Sequence, residues 1–327
     1  MLGICLLAAA LDGPFPILMT PYTDSGEVDY ETLSRETRFI ADTGVNGIIW
    51  PAALDAINHL DAEEERRGLE VIARALVGRN VCFTPCCPGT NTADAVRRVR
   101  QAEEIAARHS ALSLAMLVRM ADGSKNDADH ERHYEAVARV AKHPVIIQTF
   151  NAPSPAPSAK LLIDLARRYP DVYGWYKVEG SSKDIADLAA ELVAAKPVVK
   201  TVLNGWGGRD MLYHYRRVGT RGVITQRPSY ADLLVKIWNA LEVGSPAADE
   251  LFMRMLLLRN LDDVLPEKEM RGWHLYALMR RGVFKNTVSR TVRKNGVWQL
   301  ETTALTTRQI EEIESRMKLC GIELGPR

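Results

Sequence analysis

The chain has 327 residues, of which 46% are hydrophobic and 25% are charged, and this composition is typical of a globular protein. Its 42 basic and 41 acidic residues give a net charge of +1, which excludes the strongly basic surface of most nucleic-acid-binding proteins. The five cysteines are odd in number and lack zinc-ligand spacing. We therefore expect reduced thiols, a cytoplasmic location, and neither a metal nor a cofactor.

Residues 1–12 form an apolar N-terminal extension that is too short to span a bilayer, which takes about 20 residues. From residue 13 onward, short apolar runs alternate with amphipathic stretches of helical spacing. Eight such runs precede residue 230: Pro16–Met19, Gly47–Trp50, Val81–Pro85, Leu112–Arg119, Val145–Phe150, Val172–Val178, Val198–Leu203 and Gly222–Gln226. Eight strand–helix units of this kind predict an α/β fold, a closed TIM (β/α)8 barrel over residues 13–230.

The strand signal stops near Tyr230, and residues 231–327 are predicted to form a C-terminal helical domain that completes the last helix of the barrel. Its predicted helices are Leu233–Leu241, Asp249–Leu261, Glu267–Arg281 and Thr307–Lys318. A short hairpin is expected around Asn295-Gly296, because Asn-Gly favours a type I′ turn.

Barrel enzymes carry their chemistry at the carboxyl ends of the strands, and one predicted strand ends in a lysine. Lys177 lies in Val172–Val178, which is otherwise strongly strand-forming. Burial favours the neutral amine of a lysine, and a neutral amine attacks a ketone. The residues alone leave open a structural lysine that extends to solvent or pairs with Glu179.

Several motifs occur in a fixed order along the predicted strands. They are Met19–Tyr22 with the acidic turn Asp24–Asp29, Leu60 with Glu64, His133–Val137, Phe150–Pro153, Tyr176–Gly180 and Gly222–Thr225. In this order they resemble the dihydrodipicolinate synthase/N-acetylneuraminate lyase family. The resemblance implies a class I aldolase mechanism in which Lys177 forms a Schiff base with a 2-keto acid. It also implies a homo-oligomer, usually a tetramer.

Four departures from the family bear on function. The G-T-T-G-E loop appears as Ala52–Ala56, so only backbone N–H groups at Ala53 and Leu54 remain to hold a substrate carboxylate. The tyrosine of Y-N-x-P falls on Phe150, which cannot carry a proton, although Gln148 or Thr149 is close in sequence. The arginine after Y-N-x-P and the tyrosine shared between subunits are missing. These losses argue against dihydrodipicolinate synthase itself and against an ordinary N-acetylneuraminate lyase.

Other strand ends supply further candidate substrate-binding residues. Arg119 suits a carboxylate or hydroxyls, or forms an exposed salt bridge. The segment Asn204–Asp210, with Gly205 and Trp206, resembles the W-D-G-type segment of 2-keto-3-deoxy-L-arabonate dehydratases, although Trp206 also suits packing. Thr225 ends the eighth run, and Gln226 extends it.

Asp55 and His59 lie in the altered loop, where they replace the lost threonines as acid/base groups or belong to a solvated loop.

The sequence therefore predicts a Schiff-base lyase that acts on a 2-keto-3-deoxy sugar acid or a similar 2-keto acid, by aldol cleavage or dehydration. The first alternative is a catalytically inactive relative that binds a keto acid as a sensor or structural subunit. A second alternative is a barrel whose Lys177 is structural and whose chemistry lies elsewhere.

Overall fold

The protein is described by a computed structural model that covers residues 11–52, 55, 57–88, 90–150, 154–179, 182–225, 227–265 and 267–325. Ala53 and Leu54, the predicted carboxylate-binding residues, and Gln226 lie outside these residues, as does Cys5. The four described cysteines are free thiols. Among the described residues, no helix combines the length and the hydrophobicity needed to cross a bilayer.

Eight short strands form one sheet with the order β1-β8-β7-β6-β5-β4-β3-β2. They are β1 (Gly13–Pro16), β2 (Gly47–Trp50), β3 (Cys82–Cys87), β4 (Met116–Arg119), β5 (Val145–Gln148), β6 (Trp175–Val178), β7 (Thr201–Asn204) and β8 (Gly222–Thr225). Backbone hydrogen bonds from Gly13 to Arg221 at 2.9 Å and from Asn46 to Pro14 at 3.1 Å join β1 to the chain just before β8 and β2. The strands therefore form a nearly closed parallel barrel, and the predicted fold class is confirmed.

Helices follow the strands in chain order and continue after the last one. They are α1 (Tyr30–Asp42), α2 (Ala62–Leu76), α3 (Thr92–Arg108), α4 (Asp127–Ala138), α5 (Ala159–Arg168), α6 (Ser182–Ala194), α7 (Met211–Tyr213), α8 (Ala231–Glu242), α9 (Ala247–Arg259), α10 (Leu261–Val264), α11 (Glu267–Arg280) and α12 (Thr307–Leu319). Polar caps fix where several begin: Asn91, Asn126 and Ser158 each accept a backbone N–H three residues on.

The first strand begins earlier than the sequence predicts. The expected run was Pro16–Met19, whereas the strand is Gly13–Pro16. Met19 is buried, but its backbone N–H donates to Oε1 of Glu36 at 3.0 Å. A backbone N–H that donates to a side chain cannot also donate to a neighbouring strand. This segment is therefore buried without forming a strand.

The described chain divides into two compact units that do not follow chain order. The first comprises the chain up to Phe15, Asn46–Trp50 and Leu76–Thr225. It holds the barrel strands and the helices α3 to α7. The predicted boundaries after residues 12 and 230 stay a prediction.

The second unit comprises Pro16–Val45, Pro51–Ala75 and the chain from residue 226 onward. It contains α1, α2, the later helices and an antiparallel hairpin of β9 (Val288–Lys294) and β10 (Val297–Thr302). The hairpin turns at Asn295-Gly296, as predicted, with φ of 49° and 80°.

Arg290 anchors this hairpin within the second unit. Its Nε donates to the carbonyl of Gly26 at 2.7 Å, and its Nη1 donates to the carbonyl of His59 at 2.8 Å. Both terminal nitrogens also bind the carboxylate of Glu64 at 2.6 and 2.7 Å. A buried arginine with this many acceptors holds the loops around Gly26 and His59 firmly to the hairpin.

Candidate active site

Three polar side chains lie side by side at the carboxyl ends of β4, β5 and β6. Arg119 is in register with Gln148, and Gln148 is in register with Lys177. Residues in register on parallel strands point to the same face of a sheet. Tyr176 points the other way, because its hydroxyl donates to the backbone carbonyl of Leu162 in α5 at 2.6 Å. Lys177 therefore faces the interior of the barrel.

Lys177 forms a buried ion pair with Glu179. Its Nζ lies 2.9 Å from Oε1 of Glu179, and the two side chains are only 5% and 14% exposed. Oε2 of Glu179 accepts a hydrogen bond from Nε2 of Gln148 at 2.5 Å. An amine, a carboxylate and an amide thus meet at one point, which suits attack on a carbonyl together with proton transfer.

Thr149 fixes the backbone on which this cluster is built. Its backbone N–H donates to the carbonyl of Lys177 at 2.9 Å, and its hydroxyl accepts the backbone N–H of Glu179 at 3.2 Å. Thr149 is fully buried and points away from the face of Gln148. Of the two residues that the sequence offered, Gln148 and Thr149, Gln148 is the one beside Lys177.

Phe150, the predicted counterpart of the family tyrosine, lies two residues beyond the end of β5 and is partly buried. The β5 residue in register with Lys177 is Gln148. An amide donates and accepts hydrogen bonds but does not titrate, so Gln148 orients a neighbouring group without carrying a proton itself.

Arg119 closes the row on β4. Its Nη2 lies 2.5 Å from Oδ1 of Asp122, and its side chain is 19% exposed. Its Nε is buried without a hydrogen-bond partner among the described residues. The backbone carbonyl of Arg119 accepts from Nε2 of His133 at 3.0 Å, and Nδ1 of that ring lies 3.0 Å from the hydroxyl of Thr92. Burial lowers the pKa of His133 to about 4, so the ring is neutral and supports the strand end.

Asn204 and Thr225, also predicted to bind substrate, have a different orientation. Asn204 is in register with Val178, the neighbour of Lys177 whose side chain points to the other face. Its Nδ2 lies 2.5 Å from Nδ1 of buried His214. Thr225 lies two residues after Val223, the partner of Asn204, so alternation puts it in phase with Asn204. These two side chains are therefore not on the face of Lys177, and their contact with substrate stays a prediction.

Gly205 and Trp206 follow β7. The backbone N–H of Gly205 donates to the carbonyl of Val178 at 3.1 Å and so extends the pairing of β6 with β7. Trp206 begins a short 3-10 turn, and its side chain lies outside the described part of the chain.

Asp55, in the loop after β2, belongs to the second unit and is not solvated. Its side chain is 2% exposed, and its Oδ1 lies 2.8 Å from Nη2 of Arg271. The same oxygen accepts the backbone N–H of Thr20 at 2.9 Å, and the hydroxyl of Thr20 donates to Oδ2. The interpretation of Asp55 as part of a solvated loop is therefore wrong. His59 is partly buried with its ring centre 5.5 Å from that of Trp298, and burial lowers its pKa.

The sequence identified the residues at the strand ends but not the side chains that pair with them. Glu179 was considered only as a structural counterion, and Asp122, His214 and Arg271 were not considered. The separation of Arg271 from Asp55 along the chain explains why no local pattern could pair them. Among the described residues, no group of three or more His, Cys, Asp or Glu side chains could hold a metal ion.

Comparison with known proteins supports the same family. Residues 10–266 match the model of the dihydrodipicolinate synthetase family. A 4-hydroxy-tetrahydrodipicolinate synthase of Methanothrix thermoacetophila is 24% identical over 250 residues, which cover 74% of this chain and 79% of that protein. An uncharacterized DapA-like lyase of Pyrococcus furiosus is 23% identical over 239 residues, which cover 71% and 74% of the two chains.

Solved structures share the fold over nearly the whole chain. Dihydrodipicolinate synthase from Aquifex aeolicus has a TM-score of 0.77 at 19% identity and covers 96% of this chain and 100% of its own. YagE, a prophage protein of the same family from E. coli K12 solved with pyruvate, has a TM-score of 0.76 at 18% identity with the same coverage. The family predicted from the motifs is thus confirmed, and the chain belongs to the dihydrodipicolinate synthetase family as a divergent member.

Proposed function

We propose that this protein is a lyase that forms a Schiff base between Lys177 and a 2-keto acid. The observation that carries the proposal is the buried Lys177–Glu179 pair at the end of β6, with 2.9 Å between Nζ and Oε1. The pair places a primary amine, the nucleophile of Schiff-base formation, beside a carboxylate that can exchange protons with the reacting groups.

Proton transfer through Glu179 gives a balanced sequence of steps. The amine of Lys177 adds to the keto carbon, and the resulting carbinolamine loses its oxygen as water after taking a proton from Glu179. The cationic imine then accepts the electron pair of a breaking bond at the adjacent carbon. In a dehydration Glu179, again a carboxylate, takes the proton from that carbon and returns it to the hydroxyl on the next carbon, which leaves as water. In an aldol cleavage Glu179 takes the proton of that hydroxyl and returns it to the enamine carbon. Hydrolysis of the imine then releases the product and the amine of Lys177.

Arg119 and Gln148 are the proposed substrate-binding side chains on the same face. Neighbouring strands are about 4.8 Å apart, so Arg119 on β4 lies about 10 Å from Lys177 on β6. That spacing suits a substrate whose keto end is at Lys177 and whose polar tail reaches Arg119 and Asp122. A 2-keto-3-deoxy sugar acid has such a tail. Ala53, Leu54, Phe150, Gly205 and Trp206 stay predicted contacts.

Borohydride trapping tests this proposal. The protein is incubated with pyruvate and sodium borohydride, digested and analysed by mass spectrometry. We expect one reduced adduct, on the peptide containing Lys177, and none in a Lys177→Arg variant. Absence of an adduct on Lys177 with pyruvate and with a panel of longer 2-keto acids would falsify the mechanism.

A catalytically inactive keto-acid-binding protein is the second candidate. Two observations favour it: neither Phe150, which falls where the family has a tyrosine, nor Gln148 beside Lys177 carries a titratable proton, and Lys177 is held in an ion pair. Calorimetry and a turnover assay on the same 2-keto acid panel separate the candidates. Binding without turnover supports this second function, and turnover of any member removes it.

We also propose that the chain acts on a small molecule as a homo-oligomer, by analogy with its family. The tetramer stays a prediction, and light scattering after gel filtration measures it directly.

A further inference from the structure

Gly205 lies against the side chain of Glu179, where no larger residue fits. A Cβ atom built on Gly205 would lie 2.3 Å from Cγ of Glu179 and 2.9 Å from its Oε1. It would also lie 2.8 Å from the backbone carbonyl oxygen of Val178. Real Cβ atoms essentially never come within 3.0 Å of other heavy atoms, so any side chain here would displace Glu179 or the end of β6.

The backbone of Gly205 cannot retreat without loss of a hydrogen bond. Its N–H donates to the carbonyl of Val178 at 3.1 Å and continues the ladder between β6 and β7. Its φ of −99° lies outside the left-handed region, so a positive φ does not explain a glycine here, whereas the lack of space beside Glu179 does.

The other contacts of Glu179 leave its carboxylate little freedom. Gln148 holds Oε2 at 2.5 Å, Lys177 lies 2.9 Å from Oε1, and Thr149 accepts the backbone N–H at 3.2 Å. Gly205 lies against another side of the Glu179 side chain. A shift of Cγ would move both carboxylate oxygens away from the amine and the amide together.

We propose that Gly205 is a positioning residue whose missing side chain holds the Glu179 carboxylate against Lys177 for proton transfer. This inference rests on the proposed Schiff-base function. It assigns to Gly205 a role through Glu179, in addition to the predicted direct contact with substrate.

The test is a double-mutant cycle on the full chain, read as the rate of borohydride-trapped adduct formation with pyruvate. Gly205→Ala is expected to slow trapping by about 10²-fold, the scale of a misplacement by 1 Å. Glu179→Ala is expected to slow it by about 10²-fold or more, because a proton-transfer group is lost. Gly205→Ala/Glu179→Ala should then lie within about twofold of Glu179→Ala alone, because both changes act on one group.

Gly208→Ala is the matched control on the same loop. Its Cβ would meet Val223 at 3.3 Å and not Glu179, and its φ of +75° strains any side chain. We expect a lower melting temperature with an unchanged trapping rate. Equal slowing in both glycine variants, or multiplied effects in the double variant, would show a general structural role and overturn the inference.

Two further outcomes are decisive. If the wild type traps pyruvate at Lys177 and Gly205→Ala traps it equally fast, the positioning role fails and the proposed function stands. If the wild type forms no adduct, both fail. Should Gly205→Ala not fold, recovery of folding in Gly205→Ala/Glu179→Ala supports the contact with Cγ, whereas continued misfolding points to the Val178 carbonyl and overturns it.

Discussion

A buried ion pair in the first unit and a buried ion pair in the second unit differ in their cation. In the first unit Lys177 lies 2.9 Å from Glu179, and in the second unit Arg271 lies 2.8 Å from Asp55. The acids are similarly enclosed, at 14% and 2% exposure. A lysine amine gives up its proton under mild conditions, but an arginine guanidinium does not. Only the first pair can therefore supply a nucleophile.

The remaining contacts of the two acids strengthen this contrast. Asp55 also accepts the backbone N–H and the hydroxyl of Thr20, so it joins a helix residue to the segment after β1. Glu179 has a neutral amide, that of Gln148, as its other side-chain partner. Gln148 is in register with Arg119, so the pair lies on the face that Arg119 shares. The two pairs therefore differ in whether the cation can act as a neutral nucleophile.

The largest expected effect is on the lysine pair. Lys177→Arg keeps the charge opposite Glu179 but removes the primary amine, so turnover should fall by about 10³-fold or more. Thermal stability should change little, because the ion pair can re-form. A pyruvate adduct trapped on another residue of the variant would contradict the contrast between the two pairs. Schiff-base formation would then not depend on the Lys177 pair.

Disruption of the Arg271–Asp55 pair should lower the stability of the protein. Asp55→Asn leaves the charge of Arg271 without its acid partner and should cost about 3 kcal/mol in the free energy of unfolding, measured with urea. The control is Glu63→Gln, whose ion pair with Arg66 is 68% and 54% exposed and should show no measurable loss. Equal behaviour of the two variants would mean that the Asp55 pair is solvated after all.

Acid should lower the free energy of unfolding of both units, because each contains a buried neutral histidine. Burial lowers the pKa of His133 to about 4, and it lowers that of His274 to about 4 although Asp262 opposes the shift. Below the ordinary value of 6.5 the unfolded chain takes up these protons first, so stability falls as the pH drops from about 6.5 to about 4. The slope is up to about 1.4 kcal/mol per pH unit for each histidine.

Urea unfolding between pH 7 and pH 4 measures this slope. His133→Asn reports on the first unit and His274→Asn on the second, and each should remove the contribution of one histidine. An acid slope that is the same in both variants and in the wild type would contradict the assignment.

The smallest expected effect is on the substrate tail. Arg119→Met should lower kcat/KM by about tenfold for a 2-keto acid with a polar tail, the equivalent of about one hydrogen bond to a charged group. Trapping of pyruvate, which has no tail, should be unchanged and serves as the control. A uniform loss with both substrates would instead indicate that Arg119 supports the strand end.

The sequence predicted where the strands end better than which way their residues point. β2 and β8 fall on or within one residue of their predicted runs, and Lys177 lies at the end of β6 as expected. The strands are four residues long in most cases and buried on both faces, so they show no alternation of polar and apolar residues. The face of Asn204 and the choice of Gln148 over Phe150 therefore depend on register, which only the paired strands supply.

The anchoring of the hairpin sets a limit on how short a working chain can be. The family match ends at residue 266, and a fragment cut there would appear complete by homology. It would lack Arg290, whose guanidinium satisfies the carbonyls of Gly26 and His59 and the carboxylate of Glu64. Expression boundaries for this protein should be drawn beyond the hairpin, because the residues that need it come from the first quarter of the chain.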